Sequence, residues 1–230
     1  MIEPEDKKKR AAEASLKFVK DGMVLGLGTG STSRHVLEGL SRRIAEGWHL
    51  QGVPTSLATA EAAKMLGIPL TSLEEHPRLD LAIDGADEVD PKLDLIKGMG
   101  GALFREKIVA AASKKFVVVV DDSKVVRRLG TKTPVPVEVH PFGWRTVKAS
   151  LEDLGARVEV RTRDGQTFRT DNGNHILDAR FGPIKSPATL ARDLDAIPGT
   201  VGHGLFMGMA DVVLVGNEKG VRTLRATRRS

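Results

Sequence analysis

A glycine-rich segment near the N-terminus, Gly28-Thr29-Gly30-Ser31-Thr32, has the composition of an anion-binding loop. It follows an apolar run and precedes an amphipathic stretch, so it is expected to join a strand to a helix. Glycine lets the backbone approach an anion closely, and helix amides and hydroxyl groups supply donors. The loop lacks a Walker A ending, and Ser31 stands where the third glycine of a dinucleotide fingerprint belongs. The pattern therefore favours a phosphate monoester; the alternative is a tight turn with an ordinary helix cap.

An acidic segment follows a second apolar run, and it carries four acidic residues among the seven from Asp84 to Asp90. Ligands of open α/β sheets bind beyond the carboxyl ends of the strands, which is where this segment is expected. Asp84 and Asp87 can accept hydrogen bonds from sugar hydroxyls or bind a hard cation. The alternative is a solvated turn, because aspartate favours turns and Pro91 follows.

A third segment, Lys97-Gly98-Met99-Gly100-Gly101, places a cation before a glycine loop that opens another helix. On that helix, Glu106 has only alanine, leucine and valine at its i±3 and i±4 neighbours. A carboxyl group on an apolar stripe tends to have a raised pKa, which suits a general base working near neutral pH. The alternative is an early-turn glutamate favoured by the helix dipole, with its carboxylate in water.

The remaining residues add one candidate and exclude several classes of site. Lys124 closes a further strand and could reach a phosphate as a point charge, although it could equally be a surface lysine. The chain has no cysteine, which excludes Cys-ligated zinc, iron–sulfur clusters and cysteine nucleophiles. Its six histidines show no metal-binding spacing, and no Gly-x-Ser-x-Gly nucleophile elbow occurs. We therefore expect neither a His-rich metal site nor a hydrolase of the nucleophile-elbow type.

The elements that must position these residues alternate between short apolar runs and helical stretches, which predicts an α/β fold. The alternation implies a mainly parallel, Rossmann-like sheet with helices on both faces. The predicted strands are Met23–Leu27, Gln51–Pro54, Leu79–Ile83, Phe116–Val120 and Asp211–Val215, and the predicted helices are 7–20, 31–46, 58–66 and 102–114.

The pattern changes near Thr131 to the β-α-β-β-α-β order of a ferredoxin-like unit. The predicted strands there are Val135–Val139, 156–163, 166–170 and 200–206, and the predicted helices are Trp144–Leu154 and 186–197. We therefore expect a small inserted α+β domain at residues 131–204, serving as a lid or a subunit contact. Residues 1–130 and 205–230 would form the catalytic α/β domain.

The charge balance is basic, with 35 Lys and Arg against 30 Asp and Glu, a net charge of +5. Much of the excess lies at the two ends, at residues 7–10 and at Arg222, Arg225, Arg228 and Arg229. Aromatic residues make up only 4%, too few for the base-stacking surfaces typical of RNA-binding sheets. We expect an anionic small substrate, no nucleic acid, no membrane span, no secretory signal and a cytoplasmic location.

Taken in order, the motifs resemble those of ribose-5-phosphate isomerase, type A, along nearly the whole chain. They are Gly28-Thr29-Gly30-Ser31-Thr32, Asp84-Gly85-Ala86-Asp87-Glu88, Lys97-Gly98-x-Gly100-Gly101, Arg105-Glu106-Lys107, Asp122-Ser123-Lys124, Asp171-Asn172-Gly173-Asn174 and Gly202-His203-Gly204-Leu205-Phe206 running into Gly208-Met209-Ala210-Asp211. One departure is Met99, where many members have glycine. The resemblance implies interconversion of ribose 5-phosphate and ribulose 5-phosphate in the non-oxidative pentose phosphate pathway, without metal, by a homodimer or homotetramer.

The resemblance also implies roles for individual residues. Glu106 would move a proton between C1 and C2 through a cis-enediolate, with Asp84, Asp87 and Lys97 as the other catalytic residues. A lysine of the N-terminal helix, such as Lys8, would reach the phosphate. The implied substrate-binding residues are Thr29, Gly30, Ser31, Thr32, Asp84, Gly85, Ala86, Asp87, Lys97, Gly98, Met99, Gly100 and Lys124.

Three other readings of the sequence stay open. A non-catalytic sugar-phosphate sensor would have a related fold, but only about 22 residues precede the first predicted strand, too few for a helix-turn-helix module. An acyl-CoA transferase or an amino-sugar-phosphate deaminase could use a similar scaffold. The basic charge leaves an RNA-binding protein as the third.

Overall fold

The computed structural model describes residues 3–226, which form six α-helices and fifteen β-strands. The helices are α1 Pro4–Ser15, α2 Ser31–Ala45, α3 Leu57–Met65, α4 Leu103–Ala112, α5 Trp144–Asp153 and α6 Pro187–Asp195. The strands are β1 Val24–Leu27, β2 Gln51–Pro54, β3 Leu81–Asp84, β4 Glu88–Val89, β5 Leu95–Ile96, β6 Phe116–Asp121, β7 Val135–Val139, β8 Arg157–Val160, β9 Thr162–Arg163, β10 Gln166–Thr167, β11 His175–Arg180, β12 Thr200–His203, β13 Leu205–Phe206, β14 Val212–Asn217 and β15 Gly220–Arg225.

The described chain divides into two compact units. The first comprises residues 3–86, 105–125 and 209–226, and the second comprises residues 87–104 and 126–208. The division into a catalytic domain and an inserted domain at 131–204 stays a prediction.

The first unit is built on a six-stranded sheet in the order β15-β14-β6-β3-β1-β2. Every neighbouring pair in it is parallel except β14 with β15. Strands β1, β3, β6 and β14 are short, apolar and mostly buried, as expected of a parallel sheet covered on both faces. The predicted α/β fold with a mainly parallel sheet is confirmed.

Helices cover both faces of this sheet. Successive side chains of each strand point to opposite faces, so each strand contributes residues to the packing on both sides. Leu25 and Leu27 of β1 belong to one buried cluster with residues of α1, α2 and α3. Gly26, between them, faces the other way, and a Cβ atom there would lie 2.4 Å from the Val109 side chain of α4. Glycine in the strand therefore lets α4 pack very closely against the opposite face.

The second unit is built on a four-stranded antiparallel sheet in the order β12-β7-β11-β8. Valines of β7 are buried in one cluster with residues of α5 and α6, which cover the same face. A smaller sheet in the order β13-β5-β4 completes the unit. The element order follows the predicted β-α-β-β-α-β series, with the short β9–β10 hairpin added.

Several predicted details of the strands were wrong. The third strand of the four-stranded sheet is β11, whereas the sequence predicted residues 166–170; the chain on either side of Asp164-Gly165 forms the small β9–β10 hairpin. Both turn residues have positive φ, 52° and 77°. The predicted strand 200–206 is divided between β12 and β13, which belong to different sheets. Strand β15 was missed because Arg222 and Arg225 make its sequence resemble a charged tail, whereas it is the edge strand of the main sheet.

Candidate active site

The glycine loop lies where predicted, between β1 and α2. Gly30 has a φ of +108° and precedes Ser31, the first residue of the helix, with no side-chain cap on the helix start. The Thr29 hydroxyl is 2.8–3.1 Å from the hydroxyls of Thr55, Ser56 and Thr59 at the start of α3. The Thr29 side chain thus fixes the loop against α3, while Ser31 and Thr32 lie in the first turn of α2.

Asp84, the last residue of β3, is buried and closely bonded to this loop. Its Oδ1 accepts hydrogen bonds from the amides of Gly85 (2.7 Å) and Thr29 (3.1 Å) and from the Ser33 hydroxyl (3.2 Å). A Cβ atom on Gly28 would lie 2.1 Å from the same oxygen. The carboxylate therefore depends on glycine at position 28 for its place at the sheet edge.

Glu106 lies in the first turn of α4, at the carboxyl edge of the parallel sheet. Helix α4 connects the adjacent parallel strands β3 and β6, so it runs antiparallel to them and its N-terminus lies at that edge. Glu106 is only 5% exposed, which rejects the alternative of a carboxylate in water. Together with Asp84, Gly26 and Gly28, it lines one small cavity.

In the second unit, the loop that begins at Lys97 is held by its own backbone and by Asp87. Gly98 and Gly101 have φ values of +108° and +87°, and the Gly101 amide donates to the Gly98 carbonyl at 3.0 Å. The Met99 amide donates to Oδ2 of Asp87 at 3.0 Å. Asp87 and the glycine loop, two separate motifs of the sequence, are therefore brought together.

Lys97 is buried beneath this loop and only 2% exposed. Its ammonium group lies 5.5 Å from the centre of the Phe206 ring, a cation–π arrangement. A Cβ atom on Gly204 would lie 2.2 Å from the Lys97 carbonyl, so the backbone of this segment also needs glycine close by. An ammonium group held in so dry a place favours a partner that carries negative charge.

The basic N-terminal helix contributes cations near the glycine loop of the first unit. Lys8 Nζ is 3.1 Å from the Ser31 hydroxyl and 3.1 Å from a Glu5 oxygen. Lys7 pairs with Asp122 at 3.0 Å, one turn from Lys124. Lys124 ends the short 3-10 helix after β6 and is partly exposed. Of the basic C-terminal residues, Arg228 and Arg229 lie outside the described residues.

The two remaining residues of the acidic segment stabilise turns. Glu88 is buried and accepts the amides of Gly130, Lys132 and Thr133 at 2.6–2.7 Å. Asp90 accepts the amides of Lys92 and Asp94, while burial raises the pKa of its carboxyl. Among residues 3–226, no group of three or more acidic or histidine side chains is arranged to hold a metal ion.

Sequence reasoning missed several residues that contact the candidate site residues. The Ser33 hydroxyl donates to Asp84. Its position in the first turn of the helix after the glycine loop was a weak indication that it lies near the site. Thr55 and Ser56 follow the carboxyl end of β2, which is also a detectable position. Arg161 donates to the carbonyls of Gly98 and Met99, and nothing in its surrounding sequence indicates that contact.

Comparison with known proteins identifies the chain. The model of the family Ribose 5-phosphate isomerase A (phosphoriboisomerase A) matches residues 51–220. Ribose-5-phosphate isomerase A of Gloeobacter violaceus is 52% identical over 94% of this chain and 95% of its own length, and that of Gluconobacter oxydans is 53% identical over 93% and 94%.

Solved structures agree with the sequence matches. A D-ribose-5-phosphate isomerase in complex with phospho-erythronic acid superposes with a TM-score of 0.95 at 42% identity, over 97% of this chain and all of the other (100%). Ribose 5-phosphate isomerase A of Methanocaldococcus jannaschii gives 0.93 at 44% identity, over 97% and 100%.

The fold and these matches define an aldose–ketose isomerase that acts on a sugar phosphate. The chain belongs to the ribose 5-phosphate isomerase A family, and it interconverts ribose 5-phosphate and ribulose 5-phosphate, a reaction of the pentose phosphate pathway. The resemblance drawn from the motifs is confirmed. Among residues 3–226, no helix is both long and apolar enough to cross a membrane.

Proposed function

We propose that Glu106 is the base of this isomerisation. In the open-chain aldose, its carboxylate takes the proton from C2, the C1 oxygen gains a proton, and a cis-enediol(ate) forms. The same carboxyl group returns its proton to C1 while the C2 hydroxyl loses its own proton and becomes the carbonyl. One group therefore serves both half-reactions, as adjacent carbons on one face of the sugar allow.

The observation that carries this proposal is the burial of Glu106 in the first turn of α4, where it lies beside Asp84. A buried carboxyl group costs free energy in its charged form, and a functional site is a common reason for that cost. The helix N-terminus offsets part of it. The sheet edge beyond β1 and β3 is also where ligands of this fold class bind.

We assign roles to the other candidate site residues by their contacts and charge. Lys97 and the amides of Gly98 and Gly100 stabilise the negative oxygen of the enediolate, while the Met99 amide holds Asp87 in place. Asp84 and Asp87 bind sugar hydroxyls with the adjoining Gly85 and Ala86, and one of the two aspartates exchanges the O1 and O5 protons during ring opening.

For the phosphate, we propose the first glycine loop and nearby lysines. The amide of Gly30 and the hydroxyls of Ser31 and Thr32 supply donors at the start of α2, and Thr29 holds the loop in place through its bonds to Asp84 and to the residues before α3. The contact between Lys8 and Ser31 supports a phosphate role for Lys8, and Lys124 adds a further positive charge. Phosphate binding orients the sugar for proton transfer.

Replacing Glu106 by glutamine tests the assignment. Glutamine keeps the shape but cannot accept the proton, so kcat should fall by at least ~10²-fold, the scale for loss of a general base. Phospho-erythronic acid, which a relative binds, should still bind to the variant in calorimetry. The matched control is Glu61→Gln on the exposed surface of α3, which should leave kcat unchanged. Near-full turnover by Glu106→Gln would remove this residue from the role.

We further propose that the enzyme works as a homodimer or homotetramer in the cytoplasm, on a small sugar phosphate and without metal or cofactor. The family resemblance supports the assembly. Light scattering coupled to gel filtration measures it, and a monomeric mass at assay concentration would contradict it.

A further inference from the structure

In the Gly98–Gly101 loop, which we assign to enediolate binding, two backbone carbonyl groups accept hydrogen bonds from the side chain of Arg161. Nη1 of Arg161 donates to the Gly98 carbonyl at 2.7 Å and to the Met99 carbonyl at 3.2 Å. Arg161 is more than sixty residues away in sequence and follows β8 in the four-stranded sheet. A single side chain thus fixes two consecutive peptide groups of the loop.

Arg161 is itself fixed by a carboxylate on the neighbouring strand. Asp178 of β11 forms a bidentate pair with it, in which Nε lies 2.9 Å from Oδ2 and Nη2 bonds to Oδ1. Only 11% of the arginine side chain and 18% of the aspartate side chain are exposed. The Arg161 amide also donates to the Ile176 carbonyl of β11 at 2.9 Å. Because the planar guanidinium is bonded to Asp178 on one edge and to the loop carbonyls on the other, its orientation is fixed.

Peptide geometry connects these carbonyls to the proposed catalytic donors. In a trans peptide the C=O and N–H bonds point in opposite directions, so fixing a carbonyl also fixes the amide of the next residue. The Gly98 carbonyl meets Arg161, and the Met99 amide donates to Asp87. By the same geometry, the Met99 carbonyl that meets Arg161 turns the Gly100 amide away from the arginine.

We propose that Arg161, held by Asp178, is a positioning residue for isomerisation, an inference that rests on the role proposed above for the Gly98–Gly101 loop. Its guanidinium fixes the Met99 amide on Asp87 and orients the Gly100 amide, and by polarising the Met99–Gly100 peptide group it strengthens the Gly100 amide as a donor to the enediolate oxygen. Preorganised donors of this kind stabilise an oxyanion because they need no reorientation during the reaction.

Three variants and one control test the proposal through kcat and KM for ribose 5-phosphate. Arg161→Met removes all loop contacts, and kcat should fall by about 10–10²-fold, less than the loss of a direct oxyanion donor, while KM changes by less than about threefold. Arg161→Lys keeps one cation for the carbonyls and should restore part of kcat. Asp178→Asn keeps Arg161 but loosens it, and kcat should fall by a smaller factor. Arg157→Met, which removes an exposed ion pair with Glu159 in the same sheet, should match the unchanged enzyme.

The outcomes separate this proposal from the one on which it rests. Wild-type kcat in Arg161→Met, alongside an inactive Glu106→Gln, would overturn the positioning role and leave the proposed base intact. Turnover by Glu106→Gln would instead contradict the proposed base, whatever the arginine variants do. If Arg161→Lys and Asp178→Asn both lose their thermal transition, or lower kcat only in proportion to the folded fraction, the pair is a structural brace and the positioning role is wrong.

Discussion

At the scale of single residues, the candidate site depends on a position where there is no room for a side chain. Gly28 has no positive φ to demand glycine, yet a Cβ atom there would lie 2.1 Å from Oδ1 and 2.6 Å from Cα of Asp84. Both contacts are far below van der Waals distance, and the second is with backbone. The position therefore requires glycine because of its neighbour rather than its own conformation.

We predict that Gly28→Ala displaces Asp84 and lowers kcat/KM by at least ~10-fold, with an overpacking cost in unfolding free energy of about 1–3 kcal/mol. Steady-state kinetics and urea denaturation measure the two effects. Gly143→Ala is the control, because that glycine also lacks a positive φ and has nothing within 4 Å of the added Cβ. Equal, small effects at both sites would show that the structure tolerates a side chain at position 28.

Residues also differ in how far the sequence could predict them. The burial of Glu106 was predictable because its neighbours along one helix face are close in sequence, and the periodicity shows them to be apolar. Arg161 was not, because it bonds to backbone carbonyls, which every residue has and which leave no trace in side-chain type. The acidic segment was only partly informative: Glu88 and Asp90 support turns whose positions only the folded chain reveals.

At the scale of elements, the Asp171–Asn174 motif serves to bind a buried carboxylate of β7. Oε1 of Glu138 accepts hydrogen bonds from Thr170 (2.9 Å), Asn172 (3.0 Å) and Asn174 (2.9 Å). This turn leads directly into β11, so Glu138 fixes where that strand begins. The sequence alone predicted a strand at 166–170 instead, since it contains no sign of a partner more than thirty residues away.

We predict that Glu138→Ala lowers the free energy of unfolding by about 3–5 kcal/mol, because three donors lose a buried charged acceptor. The control is Glu159→Ala in the same sheet, where the exposed pair with Arg157 should contribute only about 0–1 kcal/mol. Urea denaturation followed by circular dichroism measures both. A loss at position 138 no larger than that at 159 would mean that the turn is held without this carboxylate.

At the scale of the whole molecule, the alternation of apolar runs and helical stretches was enough to predict the parallel sheet and its helices. Parallel strands are buried on both faces, so their sequences are continuous apolar runs that stand out from the rest. Edge strand β15 was missed for the converse reason, since none of its residues is fully buried and it carries Arg222 and Arg225. The sequence also did not predict that residues 87–104 belong to the same compact unit as residues 126–208, because this grouping depends on contacts between segments that are distant along the chain.

Acid stability is a property of the molecule that the structure makes predictable. Asp80, just before β3, accepts hydrogen bonds from Lys114 Nζ (2.8 Å) and from the amide of Val24 (3.0 Å). It therefore joins the starts of β1 and β3 to the segment before β6. The Lys114 hydrogen bond, followed by that of Val24, holds the pKa of the Asp80 carboxyl below its usual value of 3.8.

A lowered carboxyl pKa means that the folded state favours the ionised form, so the stabilisation from Asp80 is fully present above the ordinary pKa and is lost as the pH falls through the lower, folded pKa. Asp80→Asn should therefore lower the free energy of unfolding near pH 7 by about 0.5–1 kcal/mol, the scale of an exposed pair, and by progressively less below about pH 4. Denaturant titrations between pH 7 and pH 3 measure the difference. The control is Asp193→Asn at an exposed position of α6, whose unfolding free energy should differ from that of the unchanged enzyme by an amount that does not vary with pH. If the deficit of Asp80→Asn stayed constant down to pH 3, it would come from the lost Val24 contact rather than from the charge.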